Sequence, residues 1–284
     1  MLFSTFSFAV MNIFIKKVGN IPAMEIVFFR CTVSMLLCFF IIFRAKTDWK
    51  GSNRTLLIAR GTFGTIALYT FFITINKMPL GTAVTIQYLS PIFTTIIAIF
   101  LLKENIKLLQ WLFFIISFIG VLVIKGVDSR VSMFILGMGI ISAIASGFAY
   151  NMVRSLKGRE DTMVVVLHFQ IIGSAAGLIF SLFNWRTPIG MEWVYLILIG
   201  VCTQLGQVNL TKALQRVRIA DATILNYLGI IYALIFGFLF FGERYNWLTL
   251  LGIMLVLAGV GMNFLYQKMT NHLVVEEELT TLEE

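Results

Sequence analysis

The sequence predicts an all-α integral membrane protein in which ten transmembrane helices form two inverted five-helix repeats. Three observations support this: the apolar composition, the recurrence of stretches long enough to span a membrane, and an internal repeat offset by 139 residues. Hydrophobic residues make up 59% of the 284 and charged residues 13%, and the mean hydropathy is +0.91. Since soluble domains carry roughly 25% charged residues, this chain is expected to lie in a bilayer.

Apolar stretches recur along the whole chain, separated by short polar connections. A helix needs about 20 residues to cross a hydrocarbon layer of roughly 30 Å. The first stretch lacks a basic leader and a small-residue cleavage site, so it is predicted to stay as a helix. The acidic tail at 269–284 is predicted to be disordered. The ten predicted spans are 1–15, 22–43, 55–76, 81–102, 109–125, 132–154, 162–183, 192–214, 221–241 and 247–267.

The distribution of Lys and Arg predicts the orientation. With the N-terminus inside, the inner connections and tail hold thirteen of these residues and the outer connections seven. The positive-inside rule therefore favours both termini in the cytoplasm, most simply of a cytoplasmic membrane. The basic residues are scattered over ten connections instead of clustering on one folded face, so nucleic acid is not an expected partner.

The two halves of the chain match when one is slid by 139 positions. The segment "GTAVTIQYLSPIFTTIIAIFLLKE" at 81–104 then aligns with "ADATILNYLGIIYALIFGFLFFGE" at 220–243. The repeats are predicted at 1–130 and 131–268. Because each holds an odd number of spans, they must enter the membrane from opposite sides, about a pseudo-two-fold axis in the membrane plane. Outside these segments, the same offset places Gly61 on Gly200 and Gly120 on Gly259.

Polar side chains interrupt the matched segments. Gln87 and Tyr88 in span four align with Asn226 and Tyr227 in span nine. An unpaired amide that faces lipid costs roughly several kcal/mol. Something other than lipid must therefore face the Gln87 amide. Two interpretations remain open: these groups line a midplane cavity, or they only hydrogen-bond neighbouring helices. The other side chains predicted to line the cavity are Asn12, Tyr69, Gln204 and Gln207.

Charged residues inside the spans are few, which makes them informative. Arg30 lies two or three residues from the centre of span two, and Arg60 lies toward the inner end of span three. Both are predicted to give the cavity positive potential, although a structural pairing of Arg30 with helix carbonyls is an equal alternative. Glu104 and Glu243, at the ends of spans four and nine, are each expected to complement the positive N-terminus of the helix that follows.

The chain resembles the drug/metabolite transporter superfamily in its ten-helix EamA-type form. The resemblance covers nearly the whole chain and rests on "EIVFFR" at 25–30, "PLGTA…SP…LLKE" at 79–104 and "ADATILNYLG…FFGE" at 220–243. It implies cytoplasmic termini, a central cavity and alternating-access movement of small metabolites. The second repeat departs from the pattern by carrying Ile230 where the first carries Pro91.

These observations predict a secondary transporter of small polar metabolites, whose partners are that solute and the lipid bilayer. A cavity with two arginines and no deep carboxylate favours amino-acid-like or other carboxylated or zwitterionic solutes. The sequence has no nucleotide-binding loop and no zinc motif, so neither a cofactor nor an enzymatic activity is expected. An S-adenosylmethionine carrier remains open, since "RGTFGT…NKMPLGTA" resembles that branch. A channel or a polytopic membrane enzyme is a weaker alternative.

Overall fold

The computed structural model describes residues 2–102, 107–216 and 228–283, and all regular secondary structure among them is helical. Eight of the described segments are long and apolar enough to span a membrane, with α4 and α5 counted together, and α10 is a shorter apolar helix. Large apolar side chains such as Phe43, Phe100 and Phe183 are exposed on the outside of the bundle, as expected of lipid-facing positions. The helices are α1 (Leu2–Lys17), α2 (Ala23–Ala45), α3 (Arg54–Lys77), α4 (Leu80–Gln87), α5 (Ser90–Leu102), α6 (Leu108–Val127), α7 (Met133–Ser155), α8 (Thr162–Ser181), α9 (Met191–Arg216), α10 (Leu228–Phe241) and α11 (Trp247–Glu283).

The fourth predicted span consists of two helices that meet at Tyr88 and Leu89. The sequence explains the break, because Pro91 has no N–H to donate and its ring clashes with the carbonyl four residues earlier, at Gln87. Helix α4 ends at Gln87, and α5 restarts at Ser90, which places Pro91 in the first turn, where a missing N–H is tolerated.

The last helix is longer than predicted. It continues through Glu283, beyond the predicted span at 247–267, and the disorder predicted for 269–284 stays a prediction. The segment contains several Leu and Glu residues, which favour helix. Because it extends an existing helix, it does not bear the cost of nucleation.

The helix neighbours occur in pairs related by exchanging the two halves of the chain. Helix α1 packs on α9 and α10, and the equivalent helix α7 packs on α3 and α5. Helix α2 packs on α9 as α8 packs on α3, while α2 with α8 and α6 with α11 pair with their own counterparts. Helix α4 packs on α10, which is the counterpart of α5; the counterpart of α4 itself, at 219–226, lies outside the described residues. The halves therefore share one core, and the arrangement has the pseudo-two-fold symmetry predicted from the sequence.

Close contacts at glycines obey the same offset. A Cβ added to Gly61 would overlap Ile172, and a Cβ added to Gly200 would overlap Val33. Gly200 and Val33 are the positions that the 139-residue offset assigns to Gly61 and Ile172. Glycine at these positions lets α3 approach α8 as closely as α9 approaches α2.

The interface of α6 and α11 repeats this arrangement. A Cβ on Gly120 would lie 2.6 Å from the carbonyl oxygen of Gly252, and one on Gly259 would lie 2.5 Å from that of Phe113. The 139-residue offset carries Gly120 onto Gly259 and Phe113 onto Gly252, so each of these contacts is the counterpart of the other. The axis passes through this interface, because Ser117 contacts the carbonyl of its own counterpart Val256 at 3.5 Å.

Candidate functional site

Arg30 lies in the interior of α2 with 1% of its surface exposed. Its guanidinium carbon stands 5.5 Å from the centroid of the Phe169 ring and 6.0 Å from that of Phe72. One terminal nitrogen lies 3.6 Å from the sulfur of Cys31, and the Nε atom has no hydrogen-bond partner in the described ranges. The positive charge is thus surrounded by aromatic faces and a thiol, which leaves its hydrogen-bonding capacity largely unused.

Arg60 reaches the same place from α3. It is 4% exposed, and its guanidinium carbon lies 4.2 Å from the centroid of Phe169. Its Nε atom likewise has no hydrogen-bond partner in the part of the chain that the structure describes. The structure therefore brings the two sequence-predicted arginines together against one ring. Their predicted positions in spans two and three did not show that they would be neighbours.

Phe169 in α8 was not among the predicted site residues. A glycine makes room for it, because a Cβ on Gly64 would overlap both the Arg60 guanidinium and the Phe169 ring. A signal for Phe169 was nevertheless present in the sequence: the 139-residue offset that aligns the repeats carries Arg30 onto Phe169.

The contact between Arg30 and Phe169 fixes the depth of the site. Two equivalent residues can touch each other only where the symmetry axis passes between them. The axis of an inverted repeat lies in the membrane plane, at the middle of the bundle. The cluster of Arg30, Arg60, Phe72 and Phe169, called here the arginine cluster, therefore lies at the middle depth of the protein.

Neither arginine of the cluster has a carboxylate partner within the part of the chain that the structure describes. The described ion pairs lie in the connections or at helix ends and join Lys16 to Glu243, Arg130 to Asp128 and Arg186 to Glu192. Buried cations repel each other strongly in a medium of low dielectric constant, and an unpaired buried charge is costly. The arrangement is suited to binding an anion.

Two predicted amides serve contacts between helices. Gln87 accepts a hydrogen bond from the Ser142 hydroxyl at 2.7 Å and donates one to the Ser146 hydroxyl at 2.8 Å, both in α7. Gln204 in α9 accepts hydrogen bonds from the Ser34 hydroxyl at 2.6 Å and from Cys38 of α2. For Gln87 the structure has the interhelical hydrogen bonds that were the alternative to a cavity-lining role, and Gln204, predicted to line the cavity, makes bonds of the same kind.

The remaining predicted residues are more dispersed. Gln207 is buried, as is the side-chain oxygen of Asn12, and neither has a hydrogen-bond partner among the described residues. Tyr69 is half-buried in α3, and the Tyr88 hydroxyl lies against Gly229 of α10. Asn226 and Tyr227, the predicted counterparts of Gln87 and Tyr88, lie outside the described residues, as does Glu104.

A second polar cluster lies where α1, α4 and α10 end or begin. The Glu243 carboxylate accepts the backbone N–H of Leu80 at 2.8 Å and the Tyr245 hydroxyl at 2.6 Å, and it pairs with Lys16. Gly81 in turn donates its N–H to the Tyr245 oxygen at 3.0 Å. Burial and the adjacent Glu243 carboxylate raise the pKa of Tyr245, so its hydroxyl remains a donor.

Glu243 therefore complements a helix N-terminus, but of a different helix than predicted. Glu243 was expected to complement the N-terminus of α11, which follows it in the chain. The Glu243 carboxylate instead caps α4 in the other repeat. A cavity of about 310 Å³ opens beside this cluster, with Lys16, Lys77 and Arg130 among its lining residues.

Comparisons with known proteins agree with this architecture. The EamA-like transporter family matches residues 1–126 and again residues 133–265. The pseudopaline exporter CntI of Pseudomonas aeruginosa is 28% identical over 92% of this chain and 93% of its own length. Human solute carrier family 35 member G1 is 30% identical over 90% of this chain and 75% of its own.

Two further comparisons bear on substrate and fold. The S-adenosylmethionine uptake transporter of Rickettsia felis is 26% identical over 90% of this chain and 88% of its own length. A crystal structure with a TM-score of 0.67 covers 95% of this chain and 94% of that chain at 14% identity, which shows a shared fold. The relatives named here are small-molecule transporters.

Proposed function

Because the chain belongs to the EamA-like transporter family, we propose that it is a secondary transporter that moves small carboxylated or zwitterionic metabolites across a membrane by alternating access. The observation that carries this proposal is Arg30, a buried cation on the symmetry axis without a carboxylate partner among the described residues. A substrate carboxylate would supply the missing negative charge and accept hydrogen bonds from the guanidinium group.

The symmetry favours alternating access over a fixed pore. In inverted-repeat transporters, one repeat rocks against the other about a site at the interface, which opens it to each side in turn. The arginine cluster combines side chains from α2 and α3 of the first repeat with Phe169 of the second, so such motion would change its surroundings. The contact of Glu243 with Lys16 and Leu80 joins the repeats at one end, where it would act as a closed gate.

We place both termini in the cytoplasm, on the evidence of the Lys and Arg distribution in the connections. The gate at Glu243 then faces outward. Asn226 and Tyr227 remain proposed cavity residues, together with Gln207, Asn12, Tyr69 and Tyr88. Gln87 is hydrogen-bonded to α7 and Gln204 to α2, so a cavity-lining role for either residue would be additional to these contacts.

A second candidate substrate is S-adenosylmethionine, favoured by the Rickettsia relative. Its sulfonium adds a positive charge beside the substrate amine. Two arginines without a described acidic partner oppose this charge, whereas an amino acid or hydroxy acid carries a lesser or no positive charge. The arginine cluster therefore supports the carboxylate reading more strongly.

Counterflow in proteoliposomes tests the proposal. Vesicles loaded with unlabelled alanine, lactate or S-adenosylmethionine are presented with trace label of the same solute. Saturable counterflow of alanine or lactate that is lost in Arg30→Gln, and retained in Arg44→Gln at the exposed end of the same helix, supports the proposal. Equal counterflow in Arg30→Gln and the parent protein would remove Arg30 from the site, and non-saturable flux would indicate a channel.

A further inference from the structure

We propose that the arginine cluster binds two separate anionic groups of one substrate, the first at Arg30 and the second at Arg60, so that dicarboxylates are the preferred class. This inference rests on the proposed transport function and specifies the substrate of that site. Its basis is the juxtaposition of two buried guanidinium groups at a single ring.

Charge balance requires the second anionic group. Arg30 and Arg60 are 1% and 4% exposed, so bulk water solvates neither charge, and neither has a carboxylate partner among the described residues. A monocarboxylate would compensate one charge and leave the other buried and unpaired, which is the costly arrangement. A substrate with two carboxylates compensates both.

Unused hydrogen-bond donors support the same conclusion. The Nε atoms of both arginines are buried and have no hydrogen-bond partner among the described residues, so each side chain retains donors for an incoming oxygen. Guanidinium groups present donors in a fork that matches the two oxygens of a carboxylate. A second carboxylate can therefore be recognised at Arg60 as the first is at Arg30.

Phe169 contacts the arginine of each subsite. Its ring lies 5.5 Å from the Arg30 guanidinium carbon and 4.2 Å from that of Arg60, and contacts of this kind restrain the orientation of both cations. Since the ring stands next to both charges, the anionic groups are expected on separate atoms of a short chain and not on a single phosphate. Phe169 is thus a positioning residue that acts through the arginines.

The test compares succinate with butyrate, which has the same chain length and lacks the second carboxylate. Purified protein is titrated with each ligand, and the ligand-induced rise in melting temperature and the counterflow rate are measured. Glycerol 3-phosphate, a dianion on one group, is the third arm. We expect succinate to bind at least about tenfold more tightly than butyrate, and more tightly than glycerol 3-phosphate, in the parent protein.

Substitutions at Arg60 separate this inference from the proposed function. Arg60→Gln should reduce succinate affinity to that of butyrate while butyrate binding is unchanged; Arg60→Lys should restore part of the preference. Arg54→Gln, which removes an exposed charge from the first turn of the same helix, is the matched control. The melting temperature without ligand shows that each variant is folded.

The possible outcomes are distinct. If succinate and butyrate bind equally and both depend on Arg30, transport of carboxylates stands and the second subsite is refuted. If Arg60→Gln weakens both ligands alike, Arg60 is structural and the inference again fails. If glycerol 3-phosphate binds most tightly, the site holds one dianionic group instead of two separate ones. If no carboxylate is bound or transported, the proposed function itself falls.

Discussion

Arg30 and Phe169 occupy equivalent positions in the two repeats and lie against each other, with the guanidinium carbon 5.5 Å from the ring centroid. The symmetry of the backbone is thus broken chemically on the axis itself, by a cation in one repeat and an aromatic ring in the other. A symmetric pair of arginines at this place would add another repulsive charge beside Arg60. The Phe169 face instead stabilises both cations.

Replacing Phe169 by Leu is expected to weaken anion binding and stability together. Cation–π contacts are worth about 2 kcal/mol when desolvated, and this ring makes two of them. Phe63→Leu is a suitable control, since Phe63 stacks on Phe148 with centroids 4.7 Å apart. Both variants should lower the melting temperature, but only Phe169→Leu should reduce the further rise caused by a carboxylate ligand. An unchanged rise in Phe169→Leu would mean that the ring only fills space.

Adding a methyl group at position 64 should displace side chains of the arginine cluster. A Cβ there would overlap the Arg60 guanidinium and the Phe169 ring, so one of them must move. Gly64→Ala is therefore expected to reduce counterflow by about tenfold or more, since a misplacement of about 1 Å in a positioning group can cost about 100-fold. Gly137→Ala in α7 meets nothing within 4 Å and should leave transport unchanged while stabilising the helix by up to about 1 kcal/mol. Similar activity in both variants would contradict the role of Gly64.

The repeat and the helical fold were predictable because they depend on local composition and on periodic similarity within the chain. The offset that aligns Gly61 with Gly200 also describes their contacts in three dimensions. The break before Pro91 follows from the chemistry of proline. Arg30 and Arg60 stood out because ionised groups are rare inside membrane spans.

The partners of the polar residues were less accessible to sequence reasoning. Gln87 bonds to Ser142 and Ser146, more than fifty residues away, and nothing in the span itself distinguishes this from exposure to a cavity. The Glu243 carboxylate was assigned to the helix that follows it because local sequence gives no hint that Leu80 is nearer. Such assignments depend on which helices become neighbours, which single-span patterns do not encode.

The contacts of Glu243 with Lys16 and Leu80, proposed above as a gate, predict energetic coupling across the repeats. Glu243→Gln removes the ion pair with Lys16 and weakens the cap on α4, and it should destabilise the protein by about 1–3 kcal/mol, the typical cost of losing a hydrogen bond to a charged group. Lys16→Met should have a smaller effect in a Glu243→Gln background than alone, which a double-mutant cycle of unfolding free energies measures. Strictly additive effects would show that the two residues do not act as a unit.

Outside the membrane spans, Glu160 should make stability depend on pH. Its carboxylate accepts the backbone N–H groups of Ser52 at 2.6 Å and Asn53 at 2.5 Å and the Ser52 hydroxyl at 2.8 Å, which joins the α2–α3 connection to the start of α8. Burial raises the pKa of Glu160, but these hydrogen bonds outweigh it and lower the pKa below the ordinary carboxyl value. The resulting stabilisation is present above that ordinary value and is lost as the pH falls through the lowered pKa. Melting temperatures measured across the acidic range should therefore fall less steeply in Glu160→Gln than in the parent protein, and parallel curves would refute the assignment.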